Sequence, residues 1–241
     1  MSESKVSCGT VSLQSVTDTD RPTMKPITPT AKVFSCKASN FSIELAKDIH
    51  AAAMKTNRIH GRSSTGTPWL FARKLIALKQ HNKVFLKWCR HWIKEIYKTE
   101  SHLIHADRVS EPHIVKYNHK KKMKQKKKGG KAFDGIGTHQ DGSYVTIIMS
   151  CSRGSEYSGG GTFFPHLSET VRLELGEILL FQGQEGPYSA PHRAQPISGG
   201  ERLLYLAFFK LKKKKKSSGV VKKKKKIKKK KKKSKPDEGK M

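Results

Sequence analysis

The chain has 241 residues, of which 35% are hydrophobic and 29% are charged, and its formal net charge is +31 at pH 7. Residues 120–131 contain eight lysines, and residues 210–240 contain nineteen lysines against two acidic residues, so only about +6 belongs to the rest of the chain. The rest of the chain is therefore mildly basic and long enough for one domain of ordinary size. These numbers exclude a chain that is only a polycation without a hydrophobic core. No apolar run of about 18 residues occurs, so we expect no membrane-spanning helix and no membrane partner.

Cysteine usage and the N-terminal composition bear on the cellular compartment. Cys8, Cys36, Cys89 and Cys151 are scattered along the chain, without the C-x-x-C spacing of a zinc site. We expect free thiols in a reducing compartment. We expect no classical signal peptide, because the Ser/Thr-rich N-terminus lacks an apolar segment. These features predict an intracellular protein of the cytoplasm or nucleus.

The N-terminal half is predicted to contain a leader followed by a helical support. Residues 1–35 are expected to form a disordered leader, since this segment is polar and interrupted by prolines. Residues 36–112 are expected to form the helical support region. Within it, Ser42 is predicted to cap a short helix that ends before a glycine-rich loop.

A second and stronger helical pattern is predicted to begin at Pro68, with a break at His81 and Asn82. Beyond the break, apolar side chains recur at the i, i+3 and i+4 spacing of one helix face, and they include Trp88 and Trp92. We interpret this tryptophan pair as helix residues that pack against a sheet, rather than as residues that stack on a substrate.

After Pro112 the sequence changes to short β-type runs that are separated by glycine-rich turns. The turns are predicted at residues 159–161, 183–187 and 198–200. This texture indicates a sandwich or a jelly-roll barrel in residues 113–211, with the lysine-rich insert 120–131 inside it and a disordered poly-lysine tail at 212–241. The predicted strands are 113–118, 144–151, 162–164, 171–175, 177–181, 192–197 and 202–211.

The most informative motif is His139-Gln140-Asp141, followed by His192 at 51 residues after the aspartate and by Arg202 ten residues further on. Alternation along a strand places His139 and Asp141 on one side, and His192 begins a strand that barrel closure would bring alongside. Two imidazoles and one carboxylate can occupy one face of an octahedral Fe(II) ion and leave the other positions open. The planar guanidinium of Arg202 suits bidentate capture of a co-substrate carboxylate. The pattern therefore indicates an oxygen-activating enzyme.

Five stretches between His113 and Leu211 carry a resemblance to a known family. They read H-I-V-K-Y, T-H-Q-D-G, G-G-G-T-F-F-P, L-G-E-I-L-L-F and P-H-R-A-Q-P-I-S-G-G-E-R-L-L-Y-L-A-F-F. This segment, about two-fifths of the chain, resembles the 2-oxoglutarate/Fe(II)-dependent oxygenases, and within them the prolyl 4-hydroxylase and lysyl hydroxylase branch. The resemblance implies a mainly β fold with N-terminal helices, built around a double-stranded β-helix (jelly-roll) barrel.

The same resemblance implies roles for individual residues. His139, Asp141 and His192 would be the iron ligands, whereas Arg202 and Tyr117 would bind 2-oxoglutarate. The implied cofactors are Fe(II), 2-oxoglutarate as co-substrate and O2, with ascorbate as an additional candidate. The chain departs from the family pattern in two places. The lysine-rich insert lengthens the link between Tyr117 and His139, and Arg202 stands where prolyl 4-hydroxylases usually carry lysine and lysyl hydroxylases carry arginine.

The implied reaction is hydroxylation of a protein or peptide side chain, prolyl ahead of lysyl, coupled to decarboxylation of 2-oxoglutarate to succinate. Two alternatives stay open. A nucleic-acid oxidative demethylase of the same superfamily would suit the basic segments, but such enzymes usually carry a second arginine where Phe208 lies here. The other alternative is a catalytically silent jelly-roll protein that binds polyanions. The lysine-rich segments are expected either to be solvated or to make weak contacts with nucleic acid or other polyanions.

Three further features are interpreted as structural. His105-Ala106-Asp107 repeats the H-x-D spacing but precedes no comparable strand, so we expect a helix-end or loop pair. His166 is expected to lie in a surface loop. Cys151 ends an apolar strand without an adjacent basic cluster, so its thiol is predicted to be buried and unreactive.

Overall fold

The computed structural model of the chain describes residues 20–27, 33–56, 61–62, 68–99, 101–105, 112–119 and 135–211. The α-helices within these ranges are α1 (Asn40–Met54) and α2 (Lys79–Ile96). The strands are β1 (Lys25–Pro26), β2 (Val33–Cys36), β3 (Gly61–Arg62), β4 (Pro68–Phe71), β5 (Ile104–His105), β6 (His113–Asn118), β7 (Ile136–His139), β8 (Val145–Ser150), β9 (Tyr157–Gly159), β10 (Thr162–Phe164), β11 (Glu169–Val171), β12 (Ile178–Gln182), β13 (His192–Ala194) and β14 (Ile197–Leu211).

The strands form two antiparallel sheets. The order in the larger sheet is β1-β2-β12-β8-β14-β6-β4-β3, and β5 and β9 pair with other parts of the long strand β14. The smaller sheet has the order β11-β10-β13-β7. Neighbours such as β8 and β14, or β7 and β13, come from distant parts of the sequence. Tertiary contacts rather than local hairpins therefore determine most of the pairing.

Strand alternation gives the larger sheet two different faces. On β8, Val145, Ile147 and Met149 point toward the helices and share a hydrophobic cluster with Trp88 and Trp92, so the tryptophan pair packs against the sheet as predicted. The opposite face shares a second cluster with the smaller sheet. Its buried members are Val33, Val115, Tyr117, Ile148, Tyr157, Phe164, Leu173, Leu179, Phe181, Ala190, Ala194, Ile197, Leu204 and Leu206. The predicted mainly β architecture with N-terminal helices is confirmed.

The first helix begins earlier than predicted. Its N-cap is Ser39, and Ser42, the predicted cap, is the third helical residue. The two serines cap each other, because the Ser42 N–H donates to Ser39 Oγ at 3.1 Å and the Ser39 N–H donates to Ser42 Oγ at 2.9 Å. Both are good capping residues, so residue type alone could not separate them.

The segment that opens at Pro68 is a strand and not a helix. β4 pairs with β6, two 3₁₀ turns follow, and α2 begins only at Lys79 and passes through His81 and Asn82 without a break. The prediction failed because the pairing of β4 with a distant strand outweighs the local helical pattern.

The predicted leader ends before residue 35. β2 begins at Val33, inside the range 1–35, its Val33 is buried, and its Cys36 is paired with Ile178 of β12. Residues 36–112 contribute strands β3, β4 and β5 as well as helices. Both corrections have one cause, since the partners of these strands lie far away in the sequence.

Two predictions in the β-rich region are wrong. The strand predicted at 171–175 is observed as β11, which ends at Val171. The turn predicted at 198–200 lies inside β14, where a register shift between Ile197 and Gly199 and the left-handed Gly200 (φ +72°) form a bulge. The other predicted runs overlap β6, β8, β10, β12, β13 and β14.

Several predictions fall on segments that the structure does not describe. Residues 1–19, the insert 120–131 and the tail 212–241 lie outside the described residues, so their assignments stay predictions. His105 is the last residue of β5, and Asp107 lies outside the described residues. No helix in the described ranges is both long and apolar enough to cross a membrane.

Candidate metal centre

Two paired strands of the smaller sheet bring the two histidines of the motif together. His139 is the last residue of β7 and His192 is the first residue of β13, and the two are direct cross-strand partners. Their ring centroids are 4.4 Å apart. Asp141 follows two residues after His139, so the end of β7 delivers the third side chain to the same point.

The donor atoms of these three residues converge. His139 Nε2 lies 3.5 Å from Asp141 Oδ1, and His192 Nε2 lies 3.6 Å from Asp141 Oδ2. One ligand atom from each residue can be chosen so that all three lie within 4.8 Å of one another. A group of this size and composition could hold a metal ion.

Backbone carbonyls orient both imidazoles. His139 Nδ1 lies 2.8 Å from the carbonyl oxygen of Gly137, and His192 Nδ1 lies 3.0 Å from that of Ala190. A carbonyl oxygen only accepts, so each Nδ1 carries the proton and donates it. In the neutral ring this leaves the lone pair on Nε2, the atom that faces Asp141. The arrangement resembles the outer hydrogen bonds that fix the tautomer of metal-binding histidines.

The electrostatics of the group favour an ionised carboxylate. The hydrogen bond to Asp141 raises the pKa of His139, although partial burial opposes this. Burial disfavours ionisation of Asp141, but its contacts with His139, His192 and Thr146 together hold its pKa below the ordinary value. Burial lowers the pKa of His192, and the nearby Asp141 opposes this. At neutral pH the centre therefore offers a carboxylate and at least one neutral imidazole.

Aromatic rings cover one side of the centre. The Phe181 ring lies 4.5 Å from the His192 ring in an edge-on arrangement, and the Phe164 ring lies 6.0 Å from it. Both phenylalanines are fully buried. The His139 side chain is 22% exposed, compared with 6% for His192. The centre is thus buried on the His192 side and partly exposed on the His139 side.

Gln140, between His139 and Asp141 of the motif, is exposed and turned toward a neighbouring loop. Its Nε2 donates to Ser189 Oγ at 2.8 Å. This hydrogen bond ties the end of β7 to the loop that leads into His192.

Arg202 is a buried cation with unused hydrogen-bonding capacity. Arg202 is 1% exposed, and its Nη1 donates to the carbonyl oxygen of Gly161 at 3.1 Å. Within the part of the chain that the structure describes, its Nε and Nη2 have no hydrogen-bond partner. These two nitrogens form one edge of the guanidinium, the edge that can grip both oxygens of a carboxylate. This edge of the guanidinium could accept an anionic group.

Tyr117 lies beside Arg202. The two residues are direct partners on β6 and β14, and the guanidinium carbon is 5.5 Å from the tyrosine ring centroid. Burial raises the pKa of Tyr117 to about 12, while the charge of Arg202 lowers it and that of Asp141 raises it. The phenol is therefore neutral at physiological pH, and it lies close enough to both charges to respond to them.

The structure brings the five predicted site residues into one interior, shared by the two sheets. Sequence reasoning missed Thr146, whose hydroxyl donates to Asp141 Oδ2 at 2.7 Å. The spacing of five residues from Asp141 to a threonine inside an apolar strand was the available signal.

As predicted, His166 is exposed in a short 3₁₀ turn, and burial raises the pKa of the Cys151 thiol well above its usual value.

Comparison of the sequence with protein-family models gave no match, and comparison with the curated proteins gave none either. Comparison with solved structures did give matches. The viral collagen prolyl hydroxylase of Paramecium Bursaria Chlorella virus-1, solved as a 2OG complex, aligns at 13% identity over 78% of this chain and 100% of that chain, with a TM-score of 0.51. A Pseudomonas putida prolyl-4-hydroxylase aligns at 16% identity over 76% of this chain and 95% of that chain, with a TM-score of 0.52.

At these identities the likeness is one of fold. It extends over about three-quarters of the chain and nearly the whole of each of the two enzymes. The chain therefore has the fold of these prolyl hydroxylases, which is the jelly-roll fold of the 2-oxoglutarate/Fe(II)-dependent oxygenases.

Proposed function

We propose that this protein is an Fe(II)- and 2-oxoglutarate-dependent dioxygenase that hydroxylates a protein or peptide side chain, prolyl ahead of lysyl. The observation that carries the proposal is a His–Asp–His donor group in the same interior as a buried guanidinium, of which two N–H groups have no partner among the described residues. A metal site alone would fit many reactions. The buried cation restricts the co-substrate to one that carries an anionic group.

The residues present fit both implied groups. Two imidazoles and one carboxylate suit Fe(II) and leave coordination positions free. The unpaired edge of Arg202 suits the distal carboxylate of 2-oxoglutarate. An isolated charge inside a protein costs several kcal/mol, so an anionic partner would explain why this arginine is buried.

When bound, Fe(II) and 2-oxoglutarate would supply the oxidising power, so that one oxygen atom of O2 enters a C–H bond of the substrate while succinate and CO2 are released. The chain's own residues would bind and orient the reactants. His139, Asp141 and His192 would hold the ion. Arg202 and the neutral hydroxyl of Tyr117 would fix the co-substrate. The buried aromatic rings beside His192 would keep water away from one side of the ion.

The choice of a protein substrate is supported by two features. The two solved enzymes described above are prolyl hydroxylases, and the sequence stretches around the donor group resemble that branch. Phe208 stands where nucleic-acid demethylases usually carry a second arginine, which disfavours that alternative. Because Arg202 stands where lysyl hydroxylases carry arginine, a lysyl side chain is also tested as a substrate.

The deciding assay measures succinate formation by the full chain with Fe(II), 2-oxoglutarate and O2. Three substrates are compared: a proline-rich peptide, a lysine-containing peptide and a methylated oligonucleotide. We expect turnover with the proline peptide, and mass spectrometry should find one added oxygen atom on a proline. The His192→Ala variant is the inactive control.

Each alternative has its own outcome in this assay. Turnover with the oligonucleotide alone would replace the hydroxylase proposal with a demethylase. A protein that binds no metal, and that loses only nucleic-acid retention when residues 212–241 are deleted, would be a polyanion-binding jelly-roll protein.

A further inference from the structure

We propose that Thr146 and Ser143 form a hydrogen-bond relay that holds the Asp141 carboxylate in position for the metal. Thr146 is then a positioning residue of the centre, acting through Asp141 rather than on the reactants. The proposal rests on the proposed function, since it assumes that Asp141 is a metal ligand. It assigns a role to the buried hydroxyl groups of Ser143 and Thr146.

The distances define the relay and its direction. Thr146 Oγ1 lies 2.7 Å from Asp141 Oδ2, and Ser143 Oγ lies 2.9 Å from Thr146 Oγ1. An ionised carboxylate only accepts, so Thr146 must be the donor to Asp141. A hydroxyl has a single proton, so Ser143 must be the donor to Thr146. The chain of donors therefore runs from Ser143 through Thr146 to Asp141.

The buried position of Thr146 in β8 makes its hydroxyl destabilising unless the hydroxyl forms a hydrogen bond. Thr146 is 0% exposed, and its direct strand partners are Phe181 and Phe208. An unpaired buried hydroxyl in such surroundings costs about 1–3 kcal/mol. Valine has nearly the same shape and buries no hydroxyl, so packing alone would favour valine here. The hydrogen bond to Asp141 explains why threonine rather than valine occupies this position.

Ser143 is itself fixed by the loop that follows β12. Its backbone oxygen accepts from the Glu185 N–H at 3.1 Å, and the Asp141 backbone oxygen accepts from the Gln184 N–H at 2.7 Å. Ser143 is 1% exposed. The loop after β12 therefore holds both Ser143, where the relay begins, and Asp141, where it ends.

The consequence for the centre concerns rotation of the carboxylate. Asp141 Oδ1 faces His139, and Oδ2 faces His192 and Thr146. The short hydrogen bond from Thr146 holds Oδ2, so the plane of the carboxylate is fixed before any ion arrives. Without that hydroxyl the carboxylate can turn, and the ion loses a preorganised ligand.

The test measures binding of Mn(II) alone to the metal-free full chain, by electron paramagnetic resonance of the free ion. We expect Thr146→Val to weaken Mn(II) binding by about 10–100-fold. Thr146→Ser keeps the hydroxyl and should bind close to wild type. Ser143→Ala should give an intermediate loss. Ser150→Ala is the matched control, because it removes a buried hydroxyl of the same strand that donates to the Ser152 backbone oxygen instead.

Thermal unfolding of the metal-free variants separates positioning from folding, since a merely structural role would lower stability without changing Mn(II) affinity in the folded protein. Wild-type affinity in Thr146→Val, or an equal loss in Thr146→Ser, would overturn the relay while the proposed function stands. If Thr146→Val does not fold, wild-type affinity in Ser143→Ala overturns the relay. A wild-type chain that binds no Mn(II) would overturn the proposed function itself.

Discussion

Tyr117 and Arg202 are direct cross-strand partners, and the guanidinium carbon of Arg202 lies 5.5 Å from the centroid of the tyrosine ring. Both side chains are buried on the face that the larger sheet turns toward the smaller one. This pairing places a cation and a neutral phenol side by side in an apolar interior. Under the proposed function, this pair would bind the anionic end of the co-substrate.

Replacing Arg202 with alanine should raise the 2-oxoglutarate concentration needed for half-maximal activity. Charge-assisted hydrogen bonds of this kind contribute about 2–3 kcal/mol, which corresponds to roughly 30–100-fold in affinity. Mn(II) binding should persist, because Arg202 is not a ligand. Arg172→Ala is the control, since Arg172 is exposed and lies over the Tyr157 ring. Unchanged co-substrate dependence in Arg202→Ala would show that the carboxylate binds elsewhere.

Removing a ligand should abolish metal binding. We expect His192→Ala and Asp141→Ala to weaken Mn(II) binding by more than about 100-fold, a larger loss than outer-shell changes cause, and to eliminate succinate formation. His166→Ala removes an exposed histidine from the 3₁₀ turn after β10 and should leave both measurements unchanged. Wild-type metal affinity in His192→Ala would remove His192 from the centre.

Gly183 is required by the close approach of two chain segments. A Cβ at this position would lie 2.7 Å from the Asp141 backbone oxygen and 2.6 Å from Ser143 Oγ. We expect Gly183→Ala to destabilise the fold by about 1–3 kcal/mol and to weaken Mn(II) binding. Gly142→Ala is the matched control, because a Cβ there meets no atom within 4 Å although it adjoins Asp141. Equal melting temperatures and Mn(II) affinities in the two variants would contradict this prediction.

Tyr117 should make the fold sensitive to alkaline pH. Burial raises its pKa from 10.0 to about 12, so the folded state holds the phenol proton more tightly than the unfolded state does. Its contribution is complete below pH 10 and is lost as pH rises through about 12, so the free energy of unfolding should fall across this window. Tyr117→Phe should reduce that fall, by at most about 2–3 kcal/mol.

Chemical denaturation at several pH values between 8 and about 12 measures this difference. Tyr188→Phe is the control, since Tyr188 is exposed. A pH dependence of Tyr117→Phe identical to that of the wild type would show that the buried phenol does not titrate as expected.

The group of His139, Asp141 and His192 was predictable because the spacing of its members can be read directly from the sequence. His139 and Asp141 share one side of a strand end, and the separation to His192 and Arg202 matches a known pattern. Several strands of the β-rich region also have local signals, since a run such as 178–182 is mostly apolar and is followed by a turn with two glycines. For these elements the local pattern and the tertiary structure agree.

The errors occur where the deciding contact is remote. β2 has a short apolar run whose partner, β12, lies about 140 residues away. β4 begins at Pro68 in a segment with a local helical pattern, but this segment pairs with β6 as a strand. The glycines at 198–200 look like a turn, but they form a bulge that keeps β14 continuous. Thr146 was missed for the same reason, because its role appears only once Asp141 folds back over β8.

The most direct test of the central claim is a crystal structure of the full chain with Mn(II) and 2-oxoglutarate, grown without O2. We predict one Mn(II) ion bonded to Nε2 of His139, Nε2 of His192 and the carboxylate of Asp141. We predict that the distal carboxylate of 2-oxoglutarate accepts hydrogen bonds from Nε and Nη2 of Arg202. An ion bound without these three residues, or a co-substrate carboxylate away from Arg202, would contradict the account.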